Sequence, residues 1–391
     1  MSGFLRVFFS VMMLGMSGPL RAQDSPLLAG DVTDVQVIHH LDSQPGANLL
    51  WIPYVAQLKP QHLIVAFGAG IPGKVDMGDI LASVSTNDGK TWSPVTTVFD
   101  HRQRIGGIQY AYANPILFHP SGQEIVWCFC MRCPIYATHS EDSGLAAAYS
   151  GDGGRSWTPV ELTMLSSGPL VIVAGIHEIR ENGVPRYLLP GQRNTLRSDP
   201  HGTREQFVLS STSLLEWKLA GYVPLAPGAD VFPHEGNIAA GEKPGELKMV
   251  HRTAKLSKEG QAVEPPTAYS STSTDGGRTW SVAKPEPDLW NTVSKPFYGT
   301  VGSGQHIYVY NDGPAWSRMA LRYKIQDAAG NWGPEKTFYD SGTKNSYPTL
   351  IEVAPGDFRA VWDSGTKDRM RTHIRFGKLR VPMDEKANES R

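Results

Sequence analysis

Cysteine is nearly absent: Cys128, Cys130 and Cys133 are the only three in 391 residues, and they share one short stretch. An odd, clustered set cannot form the disulfide framework of a small exported scaffold, so a packed core has to hold the chain together. The C-x-C-x-x-C spacing lacks the second spaced pair of a structural zinc site, and no fourth ligand is evident nearby. On a strand, Cys128 and Cys130 point to the same face, as small buried side chains. Net charge is also small, at −1 with a pI near 6.9, and no basic run is interleaved with aromatics. Nucleic acid is excluded as a partner on that ground. No helix-period segment of useful length, Pro/Ser linker or appended module interrupts residues 23–383, which read as one domain followed by a polar tail, 384–391. Long apolar runs are missing too, apart from residues 7–16 behind Arg6, followed by Ser17-Gly18-Pro19 and Ala22. That run is too short to span a bilayer stably. It reads as a secretory signal over residues 1–22, which makes the protein secreted or periplasmic.

What the chain has in quantity is turns: 40 Gly and 29 Pro. One octet recurs, as Ser150-Gly151-Asp152-Gly153-Gly154-Arg155-Ser156-Trp157, Ser273-Thr274-Asp275-Gly276-Gly277-Arg278-Thr279-Trp280, and Ser85-Thr86-Asn87-Asp88-Gly89-Lys90-Thr91-Trp92. Weaker copies end at Trp217 and Trp332, so the five tryptophans follow one another at intervals of 65, 60, 63 and 52 residues. The chemistry is that of a tight turn. Asp accepts bonds from backbone N–H groups, Gly takes positive φ, and Ser or Thr hydroxyls tie down the neighbouring backbone. Trp leaves the turn as an apolar wedge between repeats. Short alternating strands lie between the octets, as in residues 63–67 and 80–84, and one such turn per unit of this length fits a four-stranded propeller blade.

These octets resemble the Asp-box (BNR) repeat, S-x-D-x-G-x-T-W, of the sialidase (neuraminidase) superfamily. The resemblance covers nearly the whole mature chain and implies an all-β, six-bladed β-propeller, closed by pairing of the last strands with N-terminal sequence. It also implies a glycan substrate and a glycosidase site with a Tyr nucleophile, a Glu that activates it, an Asp acid/base and three Arg that grip a carboxylate. His234-Glu235-Gly236-Asn237-Ile238, then Leu247-Lys248-Met249-Val250-His251-Arg252, resembles the blade that carries the Glu and the second Arg. Residues 310–321 resemble the segment with the third, here Arg318, with Arg322 weaker. Asn345-Ser346-Tyr347-Pro348 resembles the nucleophile segment. The acid falls on Asp76, in the Gly/Pro-rich loop 68–78. The first Arg belongs to an R-I-P tripeptide, but this chain reads Trp51-Ile52-Pro53, and an indole cannot supply a guanidinium fork. Trp51 and His234 are thus expected to line the substrate site, with Lys74, Arg104 or Arg193 as sources of a third cation. Other loop residues, among them His101, His177 and Gln192, are available to line a sugar pocket.

Three functions follow. The leading one is an exported exo-glycosidase that removes a terminal acidic sugar, sialic acid or a relative, with retention. The second is a propeller that binds glycan without cleaving it. The third is a polysaccharide lyase or non-sialic glycosidase on the same scaffold, using His234 or His177 with Tyr347. No motif asks for a metal or a cofactor, calcium in a propeller loop is left open, and the oligomeric state is not legible.

Overall fold

The computed structural model describes residues 30–382 apart from 75, 137–142, 166–170, 172–173, 194–204, 242, 244, 258–259, 303 and 328. The expected signal and the polar tail lie outside the described residues. Among those residues the only helical element is a 3-10 turn, Leu41–Ser43, and no helix is long and apolar enough to cross a membrane.

The chain begins with β1 (Thr33–His40). Blade 1 follows with β2 (Leu50–Lys59), β3 (His62–Gly70), β4 (Gly78–Ser85) and β5 (Thr96–Phe99). A small hairpin strand, β6 (Arg104–Ile105), leads to blade 2, made of β7 (Ile108–Phe118), β8 (Val126–Pro134), β9 (Gly144–Ser150) and β10 (Thr158–Val160). The short β11 (Thr163–Met164) precedes blade 3, with β12 (His177–Glu181), β13 (Val184–Arg193), β14 (Glu205–Ser211) and β15 (Glu216–Tyr222). Blade 4 is β16 (Phe232–Ala240), β17 (Leu247–Ala254), β18 (Ala268–Ser273) and β19 (Lys284–Glu286); blade 5 is β20 (Phe297–Thr300), β21 (His306–Asn311), β22 (Leu321–Ile325) and β23 (Lys336–Tyr339). The last blade has three strands of its own, β24 (Asn345–Ala354), β25 (Asp357–Ser364) and β26 (His373–Arg380), and takes β1 as its fourth. Blades 1 and 2 touch along their ladders only at Gly78 and Tyr112, so the strands resolve into six antiparallel units of four. Pairing of β1 with β26 joins the two ends of the chain and leaves no open end to the array.

The octets occupy the turn between third and fourth strands. In the second, Asp152 Oδ1 accepts the amides of Arg155 and Ser156 at 3.0 and 2.9 Å, while Ser150 Oγ accepts the amide of Gly154 at 2.8 Å. Asp275 and Ser273 repeat this at the same distances. The bond to the Ser156 hydroxyl and those to the amides hold the Asp152 carboxyl down at about 2. The degenerate third copy substitutes serines: Ser211 Oγ accepts the amide of Leu214, which takes φ +66° where the others have Gly.

Each octet tryptophan docks on the blade before its own. Trp92 packs edge-on against Phe376 of the last blade, and Trp217 against Phe129 of blade 2. Trp157 joins a cluster with Ile64 and Val84 of blade 1, Trp280 one with Leu188 and Val208 of blade 3, and Trp332 one with Val250 of blade 4. The wedges therefore occupy five of the six junctions between blades, and Trp92 sits at the one that joins the last blade to the first. Full burial of one such side chain, as for Trp217, contributes at most about 4–6 kcal/mol from the area it removes from water.

The cysteines sit on β8, all buried and unbridged. Cys128 and Cys130 share one apolar cluster, and burial pushes the Cys128 thiol well above its ordinary range.

Candidate functional site

The end of the ring opposite the octets carries the starts of the first strands and the loops between second and third strands. Four first strands begin alike, with a break in ladder register at a residue of positive φ: Ile52 (46°), Asn114 (58°), Glu235 (49°) and Tyr347 (53°). A bulge of this kind re-aims one side chain out of the pleat, at a cost of about 1–3 kcal/mol per strained residue. Proline follows Ile52, Asn114 and Tyr347, where a missing N–H leaves no ladder donor unpaired. Gly236 follows Glu235 instead, and its amide is needed, donating to Gln206 Oε1 at 3.0 Å.

Glu235 is buried, with its amide bonded to Gln192 Oε1 at 2.7 Å. Gln192 therefore faces no open pocket; it is spent on holding Glu235 in place. Arg252, near the end of β17, donates from Nη1 to both Glu235 oxygens at 2.8 Å. Burial works to raise the Glu235 carboxyl, but Arg252, aided by His234 and Lys295, outweighs it and keeps the group below its usual value. Burial likewise opposes the Arg252 charge, and Glu235 together with the Tyr347 oxygen more than restores it. Arg252 thus stands between the carboxylate and the phenol.

Arg318 belongs to the loop after β21 and has φ +46° and only 2% exposure. Its Nη2 donates to the Tyr347 hydroxyl at 3.2 Å, and its guanidinium lies 4.8 Å from the Tyr347 ring and 4.9 Å from Trp316. Tyr347 is itself buried at 5% exposure. The structure so gathers Glu235, Arg252, Arg318 and Tyr347 from three blades around one phenol oxygen. Arg322 is elsewhere, paired with Asp312 at 2.7 Å.

Several side chains at this centre carry no signal of their own in the sequence. Arg371, in the loop between β25 and β26, lies 5.2 Å from the Tyr347 ring, 3.8 Å from Asp76 and 4.0 Å from Asp363. Asp76 is one-third exposed with φ +49°, and Arg371 is its ion-pair partner. Asp363 is fully buried, accepts the Ile52 amide at 3.1 Å and the Ser346 hydroxyl, and is raised above the ordinary Asp value by burial, which Arg371 offsets only in part. Lys295 lies in a buried segment before β20, and burial, against the opposing pull of Glu235 and Asp363, brings it down to about 8. Asn114, the bulge residue of blade 2, has a buried Oδ1 with no hydrogen-bond partner among the described residues.

Other expected residues stand apart. Trp51 is fully buried: its indole fills the space left by Gly68, Gly70 and Gly78, where an added Cβ would come within 2.7–2.9 Å of the ring. It is a core residue and offers no surface to a ligand. Arg104 is exposed on the β6 hairpin and bonds Gly107 O at 3.0 Å, and Lys74 bonds Ile135 O at 3.0 Å; neither reaches the centre. Arg193 ends β13, and its side chain lies outside the described residues. His234 is buried with its ring flat on Phe232 at 4.4 Å and Nδ1 bonded to Phe232 O at 2.9 Å. His177, at the start of β12, is brought down to about 4 by burial and is neutral at ordinary pH. Asp79, Asp100 and His101 form a tight group in blade 1, but His101 Nδ1 lies 2.6 Å from Asp79 and Arg102 grips Asp100 through two nitrogens at 2.9 Å, so these acceptors already have protein donors.

A ring of six four-stranded blades with octet turns on one face and an Arg/Glu/Tyr centre on the other is a β-propeller of the sialidase type. The chain belongs to the family of BNR repeat-like domains, which it matches over residues 61–360. A search of the curated proteins finds no match. Solved structures agree in fold. A protein of unknown function from Dyadobacter fermentans is 17% identical with a TM-score of 0.67, over 90% of this chain and 99% of the other. The intramolecular trans-sialidase of Ruminococcus gnavus, solved with oseltamivir carboxylate, is 14% identical with a TM-score of 0.66, over 88% and 97%. The leech intramolecular trans-sialidase, solved with 2,7-anhydro-Neu5Ac, is 16% identical with a TM-score of 0.65, over 88% and 70%.

Proposed function

We propose that this protein is an exported exo-glycosidase that removes a terminal acidic sugar, sialic acid or a close relative, from a glycan with retention of configuration. The observation that carries the reading is the Tyr347 hydroxyl: it is buried, receives a bond from Arg318 at 3.2 Å, and lies beside the Arg252–Glu235 pair. A neutral phenol can approach a carbon that bears or adjoins a carboxylate without charge repulsion, and the surrounding guanidinium groups are placed to hold that carboxylate beside it. In this scheme Tyr347 attacks the anomeric carbon, and Glu235 takes up the phenol proton as Arg252 shifts toward the substrate anion. Asp76 protonates the departing oxygen and then activates water for the second displacement. Arg252 and Arg318 hold the anion, and no step calls for a metal or cofactor. Guanidinium groups clustered on the nucleophile favour a sugar whose carboxylate sits at the reacting carbon over a hexuronic acid, which carries it across the ring. Export rests on residues 1–22, and the purified mature protein is expected to begin at Gln23.

The test is a panel: an aryl α-sialoside, an aryl β-glucuronide and a uronate polymer, with the first-formed product followed by NMR. Release of the acidic sugar with its configuration retained supports the reading. An unsaturated product absorbing in the ultraviolet would instead make the protein a lyase, and tight binding without turnover a glycan-binding propeller.

A further inference from the structure

The strand that opens blade 1 has given up its place at the centre: Trp51 is turned into the core, and the glycines at 68, 70 and 78 make room for it. The vacancy has a neighbour. The amide of Leu50 donates to the carbonyl of Arg371 at 2.7 Å, so the β25–β26 loop is pinned backbone to backbone against the start of β2. Arg371 takes φ +62° there, a conformation that a non-glycine residue adopts only when its surroundings hold it. The Ile52 amide and the Arg371 guanidinium share one carboxylate oxygen, Asp363 Oδ2, which ties the loop, the β2 bulge and the end of β25 together. The guanidinium so placed lies 5.2 Å from the centre of the Tyr347 ring, against which Arg318 also rests at 4.8 Å.

A second observation points outward from the protein. The Nε atoms of Arg252, Arg318 and Arg371 are all buried, and none has a hydrogen-bond partner among the described residues. Three guanidinium groups with unspent donors around one phenol exceed what an internal ion-pair network needs, because buried donors are normally satisfied. An anionic ligand is the group that satisfies them. Arg371 is also the least enclosed of the three, at 16% side-chain exposure against 9% for Arg252, and its two carboxylate partners sit at 3.8 and 4.0 Å, too far for direct hydrogen bonds, which leaves the Tyr347 oxygen as its near neighbour.

We propose that Arg371 is the third anion-binding guanidinium of this site, supplied by the loop of the sixth blade in place of a residue on the first strand, and that it binds the carboxylate of the substrate together with Arg252 and Arg318. Asp363 is then a positioning residue for Arg371, and Trp51 a consequence of the move: once the cation comes from the loop, position 51 is free to serve the core. This inference rests on the acidic-sugar reading.

The experiment measures binding of 2,3-didehydro-2-deoxy-sialic acid and of its methyl ester to the wild type, Arg371→Ala, Arg371→Lys and, as a loop control, Arg369→Ala, with thermal melts of each. The wild type is expected to prefer the free acid to the ester. Arg371→Ala loses about 10- to 100-fold in affinity for the acid, the range of a charge-assisted bond, and little for the ester. Arg371→Lys, which keeps the charge without the fork, falls between, and Arg369→Ala matches wild type. If Arg371→Ala weakens acid and ester equally, or leaves the preference intact, the assignment is overturned and Arg371 only shapes the loop. If Arg371→Ala does not fold, Arg371→Lys decides by the same ratio. A wild type that binds neither compound overturns the acidic-sugar reading itself, and this inference with it.

Discussion

A single terminal nitrogen of Arg252, Nη1, lies 2.8 Å from both carboxylate oxygens of Glu235, deep in the site. The sequence reading has Glu235 acting on the tyrosine directly; the structure pairs it with the guanidinium, so the carboxylate's first task is to balance Arg252. Truncation at Glu235 leaves that charge buried and alone. Glu235→Ala is expected to lose about 3–5 kcal/mol of stability in a denaturant titration, while Glu235→Gln, which keeps the shape, retains more of it and still loses turnover. Equal stability for both variants and the wild type would mean that the pair is held open to water.

Tyr347→Phe keeps the ring on which Arg318 and Arg371 rest and removes only the hydroxyl. Turnover of an aryl α-sialoside is expected to fall by at least about 1000-fold, because a nucleophile has no substitute. The melting temperature changes little, since one bond from Arg318 is lost. Wild-type turnover in this variant sinks the nucleophile assignment.

Lys295 gives the site a pH dependence. Its ammonium is brought from the ordinary 10.5 down to about 8, so it is charged below pH 8 and neutral above. The positive field at the centre weakens as pH rises through 8, and affinity for an anionic inhibitor should fall over the same interval. Lys295→Met should bind more weakly at pH 7 and show no such step. Calorimetry at pH 6.5, 7.5 and 9 checks it, and an unchanged step in the variant assigns the titration elsewhere. The same shift acts on stability. A lysine depressed on folding costs stability while charged, and that cost disappears between pH 8 and 10.5.

Position 68 tests the packing of Trp51. A Cβ on Gly68 would lie 2.7 Å from Cε2 of a rigid indole that has no room to yield. Gly68→Ala is therefore expected to cost about 1–3 kcal/mol, and pairing it with Trp51→Phe should recover part of the loss, by non-additivity in a double-mutant cycle. Additive losses would place the strain somewhere other than this contact.

The ring was legible in the sequence because its marker is local. Asp152, Asp275 and their neighbours close their turns within eight residues, and each tryptophan follows at a fixed offset, so spacing alone registers the blades. Glu235, Arg252 and Tyr347 were pointed to by the resemblance of their segments to the sialidase pattern, and the structure brings the three side chains together. Arg371 carried no such signal: it sits in an irregular loop, and its place beside Tyr347 depends on Leu50, Asp76 and Asp363, all remote in sequence or unremarkable in composition. Trp51 misled for the opposite reason. Its position in the strand was right, but the direction of its side chain is set by three glycines on neighbouring strands, which a single-strand reading does not weigh. The bulges themselves leave a trace in the sequence, in the dipeptides Ile52-Pro53, Asn114-Pro115 and Tyr347-Pro348.

Those bulges present an aliphatic chain, an amide, a carboxylate and a phenol from the same backbone shape, at Ile52, Asn114, Glu235 and Tyr347. The scaffold thus works as a set of interchangeable sockets, in which the reagent at one station can be replaced without redesigning the mount. Where a station carries only an aliphatic chain, as at Ile52, the neighbouring loop of the last blade still reaches the same centre, with Arg371 5.2 Å from the Tyr347 ring.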